Sequence, residues 1–479
     1  MIPEIFLVYC AGRFVETPQK LEIRNPYNGE IAGITFLAGL AELESAIEAA
    51  VSACDPMRLL ASWRRYEALM QIASGIEGLK QEFVETICRE SAKPMRYALA
   101  EVDRSIQTFR VAAEECRRLP GEYLSLDWTP AGTGKEGCVK YFPIGIIAGI
   151  APFNFPLNLA VHKIAPAIAA GCPIILKPST STPLSTLLLA RVIDKSDLPK
   201  GAVSILPMDR TTGNNLVTDD RFSLLSFTGS PEVGWKMKAA AGRKKVVLEL
   251  GGNAGVIVSA SSDINLTATK CVNGAFSYSG QVCIHTQRIY IYKDVFKEFA
   301  QLFVVKTRML KTGDPMDPAT DISVMIDEEN AGRVEAWVQE AVADGAEILC
   351  GGKRAGGFYE PTVMTNTKPG MKVCCNEIFG PVVVLEPVEN IAEAVSFVNQ
   401  GCFGLQAGIF TDSQREIDYA FEHLEVGGVI VNDVPTFRVD HMPYGGIKDS
   451  GFGREGVKYA MLDMLEPKLL VKGKYQETV

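Results

Sequence analysis

Two short segments of this chain carry residues able to do covalent chemistry. Glu249 closes an apolar run (Val246, Val247, Leu248) and is followed by Leu250-Gly251-Gly252. Cys283 ends the segment Gly280-Gln281-Val282-Cys283, about thirty-four residues further on. A carboxylate closing a buried strand and a cysteine in a glycine-flanked loop supply a base and a nucleophile, the pair needed to form and discharge a thioester. A free cysteine with a pKa of about 8.5 is only a few per cent ionised at pH 7, so its surroundings must help. A glutamate with a pKa of about 4.3 is a weak base unless burial raises it.

Such residues need a scaffold. With 479 residues, 47% of them hydrophobic and 22% charged, the chain can bury a large core split into two or three domains. The net charge of −9 and the lack of a long Lys/Arg run argue against a nucleic-acid or membrane partner. Twelve irregularly spaced cysteines in so long a chain read as reduced thiols. The apolar Ile5-Phe6-Leu7-Val8 has no basic flank and is too short for a leader or a span, so a cytoplasmic protein is expected. The four scattered histidines offer no metal site.

Periodicity predicts helices over 41–53, 63–76 and 81–116, the last broken near Lys93-Pro94. Strand-like runs at 145–150, 173–176, 202–206, 223–227 and 246–250 then alternate with helices at 156–170, 182–192, 213–217 and 231–241. The helix after Thr182-Pro183 has a cap residue followed by proline at its first position. This alternation implies βαβ crossovers, a parallel sheet and an α/β, doubly wound nucleotide-binding domain. A second α/β series follows, with helices at 263–278, 331–343 and 392–399 and strands at 288–292, 382–385 and 429–431. The two domains meet near residue 251, with Glu249 at the end of the first and Cys283 in a loop of the second. A cleft between domains is where small-molecule sites are usually found.

Two runs match the glycine-rich dinucleotide fingerprint, at 132–137 and 451–456. Neither follows a buried strand and opens a helix, so both read as turns, and the nucleotide must be held some other way.

Seven blocks, in order, resemble the NAD(P)-dependent aldehyde dehydrogenase superfamily over nearly the whole chain. They are Pro152-Phe153-Asn154-Phe155-Pro156, Lys177-Pro178-Ser179, Phe227-Thr228-Gly229-Ser230, Glu249-Leu250-Gly251-Gly252, Gly280-Gln281-Val282-Cys283, Glu377-Ile378-Phe379-Gly380-Pro381 and Tyr444-Gly445-Gly446-Ile447-Lys448. The resemblance implies a Rossmann-like cofactor domain (1–122 and 143–251), an α/β catalytic domain (252–451) and a β oligomerisation arm (123–142 and 466–479). Residues 452–465 would form a helix on the cofactor domain. The resemblance further implies a homodimer or homotetramer that oxidises an aldehyde to its acid with NAD or NADP. Cys283 would be the nucleophile, the Asn154 amide and the Cys283 backbone N–H would hold the oxyanion, and Glu249 would activate the hydrolytic water. Ile150, Pro152, Phe153, Lys177, Ser179, Thr180, Gly229, Ser230, Glu377 and Phe379 would bind the cofactor, with Lys177 on the adenosine ribose and Glu377 and Phe379 at the nicotinamide end. His285, two residues past the nucleophile, is read as a bystander, and His162 as structural.

Many NAD-specific relatives carry a glutamate where this chain has Thr180, so NADP is permitted. Arg104 and Arg438 align roughly with arginines that hold anionic tails in some relatives, solvent-facing salt bridges being the other reading. The 432–440 segment is similar to members acting on lactaldehyde, glyceraldehyde 3-phosphate or phosphonoacetaldehyde, which implies a small oxygenated or anionic aldehyde. An acylating enzyme passing its thioester to coenzyme A, a cysteine esterase and a non-catalytic scaffold are the alternatives. The presence of Glu249 speaks against the first, and the intact Cys283, Glu249 and Asn154 set against the scaffold.

Overall fold

The computed structural model describes residues 3–473. Its larger sheet runs Arg13–Val15, Val8–Cys10, Val203–Ile205, Ile174–Lys177, Ile146–Ile150, Phe222–Thr228, Lys245–Glu249, Gly451–Phe452. The five central strands are parallel, and among themselves lie in the chain order 3-2-1-4-5. Winding therefore reverses between Ile146–Ile150 and Phe222–Thr228. In such sheets ligands bind outside the carboxyl ends of the strands at this switch point. The central strands are apolar on both faces because both are covered. On one side lie the helices Ser62–Gly78, Met95–Glu115, Asn158–Ala170 and Leu184–Ile193. Every residue of Asn158–Ala170 is buried, Lys163 included.

The second sheet has seven strands in the order Glu347–Cys350, Thr362–Thr365, Val382–Val388, Thr286–Tyr292, Ala254–Val258, Gln406–Phe410, Gly428–Val431. All but the first are parallel to their neighbours. A third, antiparallel sheet joins Gly121–Ser125, Lys135–Pro143 and Leu465–Gly473. It leaves Leu469, Leu470 and Val471 exposed, and Tyr123 lies open to solvent on the same sheet. The helix Val457–Asp463, just before its last strand, buries Val457 and Met461 in the core of the larger sheet's helical face. The parts of the arm and cofactor domain expected over 474–479 and 1–2 lie outside the described residues.

The break expected near Lys93-Pro94 is present: Lys80–Ser91 and Met95–Glu115 are separate helices, parted by left-handed Ala92 and by Pro94. Other expectations need correction. The helix expected from Thr182 starts at Leu184 instead. Its free N–H groups go not to a local cap but to buried Glu90, which accepts from Leu184 N (2.6 Å) and Ser185 N (3.1 Å). The run at 451–456 is more than a turn. Gly451–Phe452 pairs with Leu248 and Glu249 as the edge strand of the larger sheet. No described helix is long and apolar enough to cross a membrane.

Candidate active site

Cys283 sits on a loop held by backbone conformation rather than by a sheet. Tyr278, Ser279 and Gly280, consecutive, all have positive φ (48°, 53° and 70°). Non-glycine residues there carry strain of roughly 1–3 kcal/mol each, so something must hold them. The Tyr278 hydroxyl donates to Ser91 O (3.1 Å), Ser279 Oγ donates to Ser323 O (2.8 Å) and Gln281 Oε1 accepts from Ile326 N (2.9 Å). A Cβ at Gly280 would stand 2.1 Å from Gly380 O, and one at Gly252 would stand 2.2 Å from Cys283 O. Gly252 therefore lets the segment after Glu249 pack backbone to backbone against the Cys283 loop, and Gly280 lets that loop do the same against Gly380. Cys283 Sγ lies 3.2 Å from the Tyr444 hydroxyl. Burial pushes its thiol up to about 11, against the opposing pull of that hydroxyl.

Glu249 ends the strand Lys245–Glu249 and is 3% exposed, yet neither carboxyl oxygen has a hydrogen-bond partner. Burial and the neighbouring Glu455 carboxylate push its pKa well up, although Arg438, Lys163 and Arg454 pull the other way. Burial would also raise Glu455, but Lys163, Arg438 and His162 outweigh it and hold it at about 2. Of these two neighbouring carboxyls, Glu455 is thus the stronger acid and Glu249 the one that holds a proton more readily.

A buried chain of polar contacts runs outward from Glu455. Lys163 Nζ donates to Glu455 Oε1 (3.3 Å), Ser226 Oγ (3.2 Å) and Thr228 Oγ1 (2.7 Å). Arg438 Nη2 donates to Glu455 Oε2 (2.9 Å) and its guanidinium covers the Tyr444 ring at 3.7 Å. His162 has its proton affinity lowered by burial and by Arg438. As a neutral ring it donates Nε2–H to Asp440 Oδ1 (2.8 Å), which also accepts from Arg104 Nη2 (2.7 Å). Thus Arg438 is not a solvent-facing salt bridge. Arg104, with 29% of its side chain exposed, is the chain's outer end.

Asn154 is buried beside the nucleophile loop, its Nδ2 donating to Gln281 O at 3.0 Å. Its own carbonyl accepts from Lys93 Nζ (2.6 Å). Lys93 is wholly buried, paired with Glu101 and set over the rings of Phe155 (3.8 Å) and Tyr278 (4.5 Å). The other oxygen of Glu101 accepts from Leu157 N and Asn158 N, at the start of the helix Asn158–Ala170. One ion pair thereby ties the Asn154 turn, a helix terminus and the nucleophile loop together.

The other candidate residues lie along the switch-point crevice. Ile150 ends the first central strand and Pro152 and Phe153 follow it, while Gly229 and Ser230 follow the fourth. Ser230 precedes the helix Pro231–Ala240 but makes no side-chain cap bond, leaving its hydroxyl and the helix N–H groups available to an anion. Lys177 Nζ has only a long contact to Pro178 O (3.5 Å), and a Cβ at Gly213 would stand 2.9 Å from its Cε. Ser179 accepts from Ser181 N (3.2 Å), with Thr180 between them. Glu377 accepts from Gly252 N (2.9 Å), and burial pushes it up to about 7. Phe379, at φ 44°, meets Phe153 edge-on at 5.8 Å. A half-buried ammonium with little to bond, an uncapped helix start and a paired aromatic wall fit a dinucleotide.

The sequence reading missed Lys163, Glu455, Tyr444, Lys93 and Glu101 as parts of the site. Lys93 and Lys163 look like ordinary helix-flanking or surface lysines in sequence, and Lys163 and Glu455 are 292 residues apart. Tyr444 stood in a recognised block but received no role. His285 is buried in its surroundings with burial lowering its pKa to about 4, and no contact ties it to Cys283.

Comparisons with known proteins agree with this geometry. Residues 14–470 match the model of the aldehyde dehydrogenase family. The 3-sulfolactaldehyde dehydrogenase of Priestia aryabhattai is 40% identical, covering 97% of each chain. The crystal structure of aldehyde dehydrogenase 21 from Physcomitrella patens, in complex with its reaction product succinate, superposes with a TM-score of 0.98 at 44% identity over 100% of both chains. The glyceraldehyde-3-phosphate dehydrogenase GapN of Methanocaldococcus jannaschii, complexed with NADP, gives 0.91 at 36% identity, covering 95% of this chain and 99% of its own. With its doubly wound sheet, buried carboxylate and cysteine loop, this chain belongs to the aldehyde dehydrogenase family of NAD(P)-dependent oxidoreductases.

Proposed function

We propose that the site oxidises a small aldehyde with an anionic tail to its carboxylic acid, through a thioester on Cys283. One observation carries the anionic choice. In the hydrogen-bonded chain from Arg104 to Lys163, three cations (Arg104, Arg438, Lys163) meet two ionised carboxylates (Asp440, Glu455). One positive charge is left over, and Nε of both arginines is buried without a partner. Buried charge wants compensation, and a carboxylate, sulfonate or phosphate on the substrate supplies it. The relatives named for 3-sulfolactaldehyde and for the product succinate fit this reading.

In the reaction the Cys283 thiolate attacks the carbonyl carbon. The alkoxide is held by the remaining Asn154 amide N–H and the Cys283 backbone N–H, a donor set typically worth a hundredfold or more in rate per donor. When bound, the nicotinamide supplies the acceptor for the hydride that leaves this carbon. Lys177, Ser179 and Thr180 hold its adenosine end, Gly229 and Ser230 with their helix the diphosphate, and Ile150, Pro152, Phe153, Glu377 and Phe379 line the rest. The Glu249 carboxylate takes a proton from water as that water attacks the thioester. Thr180 carries no negative charge, so a 2′-phosphate is accepted and NADP is used. The exposed Leu469, Leu470 and Val471 on the antiparallel sheet support assembly into a homodimer or homotetramer. Negative net charge and thiols left free fit a cytoplasmic enzyme.

The test follows NAD+ and NADP+ reduction with succinate semialdehyde, lactaldehyde, glyceraldehyde 3-phosphate and propionaldehyde. Cys283→Ala should abolish turnover with all of them. Arg104→Ala should raise KM for the anionic aldehydes about tenfold or more and leave propionaldehyde unchanged. Equal effects on charged and neutral substrates would remove Arg104 from the tail site.

A further inference from the structure

Tyr444 is the polar side chain in contact with the sulfur, and its own setting is unusual. The residue is 3% exposed and packs with Tyr278, Val282, Ile284 and Leu405. Its ring lies under the Arg438 guanidinium, and its hydroxyl reaches Cys283 Sγ at 3.2 Å. Backbone bonds in both directions with Glu455 (2.9 and 2.6 Å) hold the segment that carries it. With the backbone held there, the ring cannot swing away without breaking the stack.

We propose that Tyr444 is a catalytic residue, its hydroxyl donating a hydrogen bond to the Cys283 thiolate both before attack and again when the thioester breaks. The inference rests on Cys283 being the nucleophile. Burial pushes the Tyr444 phenol well above its ordinary range, so it keeps its proton and faces the sulfur as a donor. The other charged groups near the sulfur are Glu377 and Glu249, which disfavour a thiolate, and Arg438, which favours it from the far side of the tyrosine ring. The Tyr444 hydroxyl is thus the direct polar contact that favours the anion. In hydrolysis, water adds to the acyl carbon and its proton passes to Glu249. The C–S bond then breaks and its electron pair returns to Sγ, where the hydroxyl already points. A charge-assisted O–H donor at that atom lowers the barrier to departure as well as the pKa of the nucleophile.

Tyr444→Phe keeps the ring under Arg438 and removes only the donor. Alkylation of Cys283 by iodoacetamide, followed on its peptide by mass spectrometry across pH 6–11, reads the thiolate directly and needs no turnover. At each pH below about 10 the alkylation rate should be about tenfold lower in the variant, as for a thiol holding its proton about one pH unit more tightly. With an aldehyde substrate and NADP+, the variant should show a first-turnover burst followed by a steady rate about tenfold below the parent. An unchanged alkylation rate overturns the proposal, whether or not turnover falls, because slower turnover alone reports a displaced pocket. Failure of the underlying reading looks different: Cys283→Ala would still oxidise aldehydes.

Discussion

Two regions of this molecule bury glutamates completely, and they treat them in opposite ways. Under the helical layer, Glu90 and Glu101 have their oxygens occupied by backbone N–H groups at the starts of two helices, and Glu101 also by Lys93. At the end of the strand Lys245–Glu249, Glu249 is as deeply buried with both oxygens empty. A buried carboxyl whose lone pairs are spent binds elements together. One whose lone pairs are free keeps its capacity for a water or a proton. The difference separates a joint from a reagent better than burial or residue type does.

Exchanging glutamine for each glutamate sharpens the contrast. Glu249→Gln should lower steady-state aldehyde oxidation by about a thousandfold, a typical general-base contribution being 10²–10⁴. The first-turnover burst and the thermal midpoint should stay close to the parent's, since no bond of the folded state is lost. A fall in Tm of many degrees would mean that Glu249 is structural after all. Glu101→Gln should do the reverse, costing about 3–5 kcal/mol in urea unfolding because Lys93 is left buried without its counter-charge. Part of its activity loss should come from a loosened Asn154. The smallest effect is expected at Glu90, which burial pushes up to about 8. Its folded pKa is above the unfolded value near 4.5, so the folded state holds the proton more tightly. Its contribution is complete below about 4.5 and is lost as pH rises through about 8. Glu90→Gln should therefore flatten the fall of Tm between pH 5 and 9, and an unaltered slope would show that the helix N–H groups keep Glu90 ionised.

The joints and the reagent were not equally legible in the sequence. The nucleophile, the strand-end carboxylate and the five alternating strands before it stand in local patterns of glycine and apolar residues, which a single pass can read. The strands Ala254–Val258 and Gln406–Phe410 and the helix Lys293–Arg308 were missed. The first follows Gly252-Asn253 so closely that its apolar run carries no boundary of its own, and the second begins with a buried glutamine. The caps were illegible for another reason. Thr182-Pro183 offers a plausible local cap, yet the donors go to Glu90, ninety-four residues earlier in the case of Leu184. Pairings such as Lys163 with Glu455 or Arg104 with Asp440 depend on which distant segment tertiary packing delivers, and no local period encodes that.

The left-handed run Tyr278-Ser279-Gly280 has a consequence for anyone hardening this enzyme against heat. Two non-glycine residues in that region are a standing invitation to selection for thermostability, because a residue better suited to the conformation, such as glycine or asparagine, relieves strain at once. Each such gain loosens an anchor, since Ser279 Oγ and the Tyr278 hydroxyl tie the loop to Ser323 and Ser91. Variants chosen for melting temperature alone should accumulate here, and they would be the ones that trade the aim of the sulfur for robustness.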